Sequence, residues 1–196
     1  MDATAELIAQ RSFADVRITD IARIAQIAQP NFYTYFSGVE EVVKALAEEV
    51  SLDGLARLLE PDWSGPGGLD LSRQLVEEAL ALWEAQRAVL GLTWFLADKR
   101  QGDFPTLRVR QVRGLYKALE RQIRQSQAAG RLARGVQPRL AGYECVGLIS
   151  SAAANHSLLL ESGFTRKQLV ETNARLVHMI VTGISTPAEP DQLRNR

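Results

Sequence analysis

Apolar residues recur three and four positions apart along almost the whole chain, and no run of alternating β-branched residues interrupts that spacing. A helix places such residues on one stripe, whereas a half-buried strand demands strict alternation. The pattern restricts the chain to an all-α fold of about seven to nine helices. The spacing predicts helices over Ala3–Gln10, Thr19–Gln26, Pro30–Phe36, Val39–Leu59, Leu71–Ala85, Ala88–Arg100, Pro105–Ala129, Pro138–Glu161 and Thr165–Ile184, with a turn at Ser12–Asp15. The sharpest interruption is Pro61–Gly68, where two prolines and three glycines forbid a continuing helix and mark a loop. Gly102, Gly130, Gly135 and Gly163 fall in the other gaps, as helix C-termini favour. Thr186–Arg196 reads as a frayed tail, and no internal repeat is visible.

At 196 residues and 46% hydrophobic the chain has ample material for a packed core. Its 23 basic and 23 acidic residues cancel, so total charge names no partner and only the distribution of charge is informative. Cys145 is the single cysteine and lies in an apolar run, which excludes an internal disulfide and a thiolate zinc site and fits a reducing cytoplasm. Met1-Asp2-Ala3-Thr4 does not open a signal peptide, and Cys145–Leu160, which carries Asn155 and His156, is too short and polar to span a bilayer. Catalysis finds little support. His156 and His178 stand far apart, no Walker lysine follows Gly65–Gly68, and there is no nucleophile motif. No cofactor and no metal are expected.

The segment Arg17–Phe36 carries the functional signal. Ile18, Ile21, Ala22 and Ala25 share one face of the first short helix, Ile27 sits in the turn, and Phe32 and Phe36 form an i, i+4 pair on the second. Two helices crossing steeply need a small residue at their contact, and Ala22 supplies it. The pattern is a helix-turn-helix core, which presents the outer side of its second helix to a major groove.

With Ile21-Ala22, Ala25, Ile27, Phe32-Tyr33, Tyr35-Phe36 and Glu40 in register, the sequence resembles the TetR family of transcriptional regulators. The resemblance reaches back to Ala5–Ile8 and Phe13 and forward into the helix beginning at Val39. It implies a three-helix DNA-binding domain over residues 1–45, then a larger helical domain over residues 46–196 that binds a small molecule and dimerises. Carried over residue by residue, it makes Gln29, Asn31 and Thr34 readers of bases, beside Pro30, and Tyr33 and Tyr35 holders of phosphates. The chemistry suits those roles: Asn and Gln bond adenine bidentately, Thr reaches a base or a thymine methyl, and a tyrosine hydroxyl donates to phosphate oxygen. Arg17 and Thr19, opening the preceding helix, add further phosphate contacts. For each residue an ordinary surface position is the alternative.

Four features depart from the family pattern. Gln26 stands where glycine is usual, at a cost of about 1 kcal/mol if the turn is left-handed. Ala28 replaces a serine cap, and Val39 a lysine. Residues 1–50 hold four basic residues (Arg11, Arg17, Arg23, Lys44) and eight acidic ones, a balance of 4 − 8 = −4. Duplex DNA is bound largely through cations, so modest phosphate contacts and a shallow salt dependence follow. The chain also begins inside its first helix, without the basic arm usual before it. Truncation, or a heavy reliance on dimer pairing, are the two explanations.

The remaining helices are less diagnostic. Val146, Ile149 and Ala153 on one helix and Leu169, Asn173, Leu176, Ile180 and Ile184 on the next have the spacing of a four-helix homodimer interface, although a monomer core would look alike. Trp83, Leu92, Trp94, Phe95, Phe104, Arg113, Tyr116, Asn155 and His156 are the candidates for an effector pocket, against the alternative that the aromatics and His156 are core. Residues 99–139 carry eleven basic and two acidic residues, a balance of +9. Arg110, Arg113, Lys117, Arg121 and Arg124 share a helix face. That face is either solvated or attracts an anionic effector such as an acyl-CoA. The implied function is a cytoplasmic, ligand-responsive regulator that binds double-stranded DNA at a pseudo-palindromic operator, with no membrane association. Repression, the commoner outcome in the family, ends when the effector releases the operator. The alternative is a helical dimeric adaptor that has kept the fold and lost DNA binding.

Overall fold

The helical periodicity is realised throughout the described residues, 1–184 of the computed structural model, and no strand occurs among them. In chain order the elements are α1 (Asp2–Gln10), a turn of 3-10 helix at Phe13–Asp15, α2 (Ile18–Ile24), α3 (Gln29–Tyr33), α4 (Val39–Glu49), α5 (Asp53–Arg57), α6 (Gly68–Ala85), α7 (Arg87–Asp98), α8 (Phe104–Ala128), α9 (Pro138–Glu161) and α10 (Arg166–Thr182). The tail Thr186–Arg196 lies outside the described residues.

Two expected elements differ. The single helix expected over Val39–Leu59 is broken: α4 stops at Glu49, Val50 turns extended (φ −76°, ψ 104°), and α5 starts at Asp53. Ser51, Asp53 and Gly54 are weak helix formers, and the Ser51 hydroxyl accepts from the Asp53 amide instead of leaving it to the helix. The last helix ends at Thr182 because Gly183, expected inside it, is its left-handed cap (φ 72°). A side chain at Gly183 would also meet the Arg131 carbonyl at 2.3 Å. At its other end α10 has a reciprocal capping box between Thr165 and Gln168.

The chain divides into two units, residues 1–54 with 80–114 and residues 55–79 with 115–196. In the first, α1 packs on α2, α4 and α7, and α4 also packs on α7. Leu7, Val43, Ala47 and Phe104 are wholly enclosed there. Gln101 donates to Glu40, Gln111 donates to the Ala47 carbonyl, and Lys44 pairs with Asp103 at 2.9 Å, all around α4.

In the second unit the Pro61–Gly68 loop is built around Trp63, which is wholly buried. Its indole N–H donates to the Leu58 carbonyl (2.9 Å) and its own carbonyl accepts from His178 Nε2 (3.0 Å). Gln122 closes the loop by donating to the carbonyls of Leu59 (2.8 Å) and Pro61 (2.5 Å). Gly68 is forced: a Cβ there would lie 1.7 Å from the Trp63 carbonyl oxygen. α9 and α10 pack together, and α6 meets α10 through Ser72, whose hydroxyl donates to the Ala174 carbonyl, and through Arg73. The Arg73 guanidinium grips both oxygens of Glu171 (2.6 and 3.0 Å), and Arg175 reaches the same carboxylate.

Those hydrogen bonds, from Arg73 first, hold the Glu171 carboxyl at about 2 against an ordinary 4.5. A depressed carboxylate contributes stability above its unfolded pKa and loses it as protons bind the folded state. Glu171→Gln is therefore expected to lower the melting temperature at neutral pH. The deficit against wild type should shrink as pH falls from 4.5 towards about 2, followed by circular dichroism. A deficit independent of pH would contradict the assignment.

Candidate nucleic-acid interface

The helix-turn-helix is made by burial on one side of two short helices. Ile21, Ala22 and Phe32 are buried, with α2 packed on α3, and the Phe32 ring lies 5.8 Å from Phe36 and edge-on to Tyr33 at 5.7 Å. Ala25, expected on the inner face, is exposed, and Ile27 in the turn is 41% exposed. The turn itself is left-handed at Gln26 (φ 54°), so the position that usually takes glycine adopts glycine's conformation with a side chain attached. The Ile27 amide closes it by donating to the Ala22 carbonyl (2.9 Å). α3 follows Ala28, whose side chain offers no cap, and carries Pro30 in its first turn. It is helical only to Tyr33, though the amides of Tyr35 and Phe36 still donate to the Phe32 carbonyl.

Every sequence-derived candidate of this segment reaches solvent. Arg17, Thr19, Gln29, Pro30, Asn31, Tyr33, Thr34 and Tyr35 are all exposed, Tyr33 by 54% and Tyr35 by 76%. Tyr35 and the outer half of Tyr33 present aromatic surface to water, which fits a surface meant to be covered. Arg11, Ala14, Asp15, Arg17, Thr19 and Asp20 line an open cleft of about 360 Å³ beside it.

Sequence reading missed the clamp that fixes the exit from α3. The Ser37 amide (2.6 Å) and hydroxyl (2.7 Å) both donate to Glu41 Oε2, and these bonds, the amide's first, hold the Glu41 carboxyl below its ordinary range. The Ser37 to Glu41 spacing is one residue longer than a capping box, so a search at the usual interval passes over it.

The effector candidates are divided between the two units. Trp83, Leu92, Trp94, Phe95, Phe104 and Arg113 belong to the first unit, and Tyr116, Asn155 and His156 to the second. Trp83 is buried edge-on to Trp94 (5.0 Å), which carries the Arg108 guanidinium 4.3 Å above its ring. Leu92 is half-buried, Phe104 is wholly buried under Lys44, and Phe95 and Arg113 are exposed. Tyr116 stacks on Tyr143 at 4.6 Å. His156 is buried with Nδ1 2.9 Å from the Ala153 carbonyl, while its neighbour Asn155 faces solvent and donates to Ser151. A cavity of about 430 Å³ in the first unit is lined by Glu48, Val50, Ser51, Leu52, Asp53, Leu107, Arg110 and Gln111, none of them effector candidates. Burial pushes the Cys145 thiol up to about 12, so it does not act as a nucleophile at neutral pH.

The candidate interface residues on the last two helices fall into two groups. Val146, Ile149, Ala153, Leu169 and Asn173 are buried within the second unit, because α9 and α10 use those stripes to pack on their own neighbours. Leu176 is exposed and Ile180 and Ile184 are half-buried. The outward stripe of α9 is instead Leu140, Gly147, Ser151, Asn155 and Leu158.

Residues 1–46 match the family of bacterial regulatory proteins, tetR family, and residues 55–188 match the Tetracyclin repressor-like C-terminal domain. The chain belongs to the TetR family. No curated protein matches it. Among solved TetR-like structures, the transcriptional regulator FadR of Bacillus subtilis, in complex with stearoyl-CoA, is 18% identical, with 93% of this chain and 96% of that chain covered and a TM-score of 0.66. GusR of Salmonella enterica is 16% identical over 92% of each chain, with a TM-score of 0.62. The fatty acid degradation regulator FadR of Bacillus halodurans is 16% identical over 93% of this chain and 96% of that one, with a TM-score of 0.59. At such identities the TetR likeness to these structures is one of fold. Among the described residues, no helix is long and apolar enough to cross a membrane, and no three His, Cys, Asp or Glu side chains are grouped so as to hold a metal ion.

The TetR turn can be tested without DNA. Gln26→Gly removes about 1 kcal/mol of left-handed strain against roughly 0.5 kcal/mol of added chain entropy, and Ala28→Ser adds a cap worth about 1 kcal/mol. Together they are expected to raise the unfolding free energy by about 1.5 kcal/mol in urea titrations. No gain would contradict the strained, uncapped turn.

Proposed function

We propose that this TetR-family chain is a homodimeric transcriptional repressor that releases its operator when a small-molecule effector binds. The observation that carries the reading is the exposure of all eight candidate DNA contacts on a segment whose inner side is fully used by Ile21, Ala22 and Phe32. In this reading residues 1–45 are the DNA-binding domain and residues 46–196 the effector-binding and dimerisation domain of a cytoplasmic protein. Two α3 segments enter successive major grooves about 34 to 36 Å apart on a pseudo-palindrome. Gln29, Asn31 and Thr34 read bases, while Arg17, Thr19, Tyr33 and Tyr35 hold the backbone.

Dimerisation uses the faces of α9 and α10 that the chain leaves uncovered. Leu140 (59%), Leu158 (60%), Leu176 (38%) and Met179 (42%) are exposed there, and Gly147 and Ser151 are small enough to let a partner helix approach. Effector binding acts by favouring a dimer state with a different head spacing, which lowers operator affinity only as far as the effector prefers that state. An anionic effector of the acyl-CoA kind is supported by the basic excess over residues 99–139 and by the stearoyl-CoA held by the Bacillus subtilis structure. Arg108, Arg110 and Arg124 of that stretch pair with Asp98, Glu48 and Glu120, and Arg121 donates to the Leu59 carbonyl, while Lys117, Arg131, Arg134 and Arg139 of the second unit are exposed and are the cations offered to an anionic headgroup.

The test selects duplexes from a random pool with the full-length protein and measures affinity by fluorescence anisotropy, with the mass in solution taken by sedimentation. Tyr33→Phe should weaken every duplex alike by on the order of 1 kcal/mol per head, whereas Asn31→Ala should relax preference at one base pair per half-site by about 1–3 kcal/mol. Long-chain acyl-CoA should release the bound duplex. Unchanged affinity in both variants would overturn the site, and a monomer that binds as well as a dimer would overturn the arrangement.

A further inference from the structure

Arg11, Arg17, Arg23 and Lys44 are the four cations of residues 1–50, and one carboxylate holds two of them. Asp20 Oδ2 lies 3.0 Å from Arg11 Nη1, and Oδ1 lies 3.9 Å from Arg23 Nη2. Arg11 comes from the end of α1 and Arg23 from the next turn of α2, so Asp20 bridges them on the outside of the head. The same Asp20 and Arg11 line the open cleft with Arg17 and Thr19, the two exposed phosphate candidates. The Arg23 side chain is 69% exposed and that of Arg11 35% exposed, so solvent, and any polyanion in it, reaches both guanidinium groups.

A carboxylate and a phosphate oxygen compete for the same guanidinium hydrogens. Exposed ion pairs are weak, so a duplex can displace Asp20, but each displacement subtracts from what the phosphate contact returns. With eight acidic residues against four basic ones, the head has few other cations to call on.

We propose that Asp20 is an internal competitor for operator phosphates, sequestering Arg11 and Arg23 in the free protein and so setting both the DNA affinity of the head and its salt dependence. The inference rests on the DNA-binding reading above. Asp20 is a positioning residue here: it acts through the two arginines. Neutralising it leaves both cations in place and removes their nearest partner. Each cation transferred to a phosphate steepens the dependence of log affinity on log salt by about 0.9, so one per head steepens it by about 1.8 in a dimer. Over a fourfold fall in salt, from about 200 to about 50 mM, the variant's advantage then grows by about tenfold.

The experiment uses the full-length protein, a duplex enriched from a random pool by the wild type, and a scrambled duplex of equal length. Asp20→Asn and Asp20→Ser are each titrated over the salt range, with circular dichroism showing that the fold is kept. Asp15→Asn is the comparison, because Asp15 lines the same cleft and pairs with neither arginine. Both Asp20 variants should bind both duplexes more tightly with the steeper slope, Asp15→Asn should move it by less than half as much, and the gain should vanish when Arg11→Gln and Arg23→Gln are added. An unchanged slope, a gain matched by Asp15→Asn, or a gain that survives loss of both arginines would overturn the role of Asp20. Failure of the wild type to enrich any duplex would overturn the DNA-binding reading itself, a result distinct from enrichment with an unmoved slope.

Discussion

The presentation of α3 depends on the burial of Phe32. Five residues of helix cannot sustain themselves in water, because nucleation costs more than so few hydrogen bonds return. What holds Gln29 to Tyr35 in place is a single aromatic ring enclosed with Ile21 and Ala22, backed by Phe36. The turn before it is strained at Gln26, the helix start is uncapped at Ala28, and the exit is clamped by Ser37 on Glu41. Local terms at the entrance thus oppose the conformation, and tertiary packing with the exit clamp overrides them.

A comparable dependence governs the second unit, where Trp63 replaces a secondary-structure element. A loop with two prolines and three glycines has little of its own to hold it. Enclosing the indole while satisfying its N–H, and tying the surrounding carbonyls to Gln122, Arg121 and His178, converts that loop into a fixed part of the core. The absence of a Cβ at Gly68 is what lets the chain leave it.

The electrostatics of the head follow a different logic from its packing. On the proposed DNA-binding reading, a surface poor in cations, two of them engaged by Asp20, favours neutral hydrogen-bonding groups, Asn31 at bases and Tyr33 and Tyr35 at phosphates, over bulk attraction to the duplex. Specificity gains from that arrangement, because non-specific binding rests almost entirely on charge.

The sequence by itself determined the helical class, the span of the helix-turn-helix, and the two local defects at Gln26 and Ala28. Each of these is a property of neighbouring residues: a 3.6-residue period, a small residue at a crossing, a missing glycine, a missing cap. Only the tertiary structure decided what each apolar stripe packs against. Val146, Ile149 and Ala153 have the spacing of an interface and lie in the chain's own core, and Trp83, Phe104 and Tyr116 are engaged by Trp94, Lys44 and Tyr143. The pairing of Asp20 with Arg11, nine residues away, likewise needed α1 to be placed against α2. Periodicity records that a face is buried; the identity of the group that buries it is set by long-range packing, which no local pattern encodes.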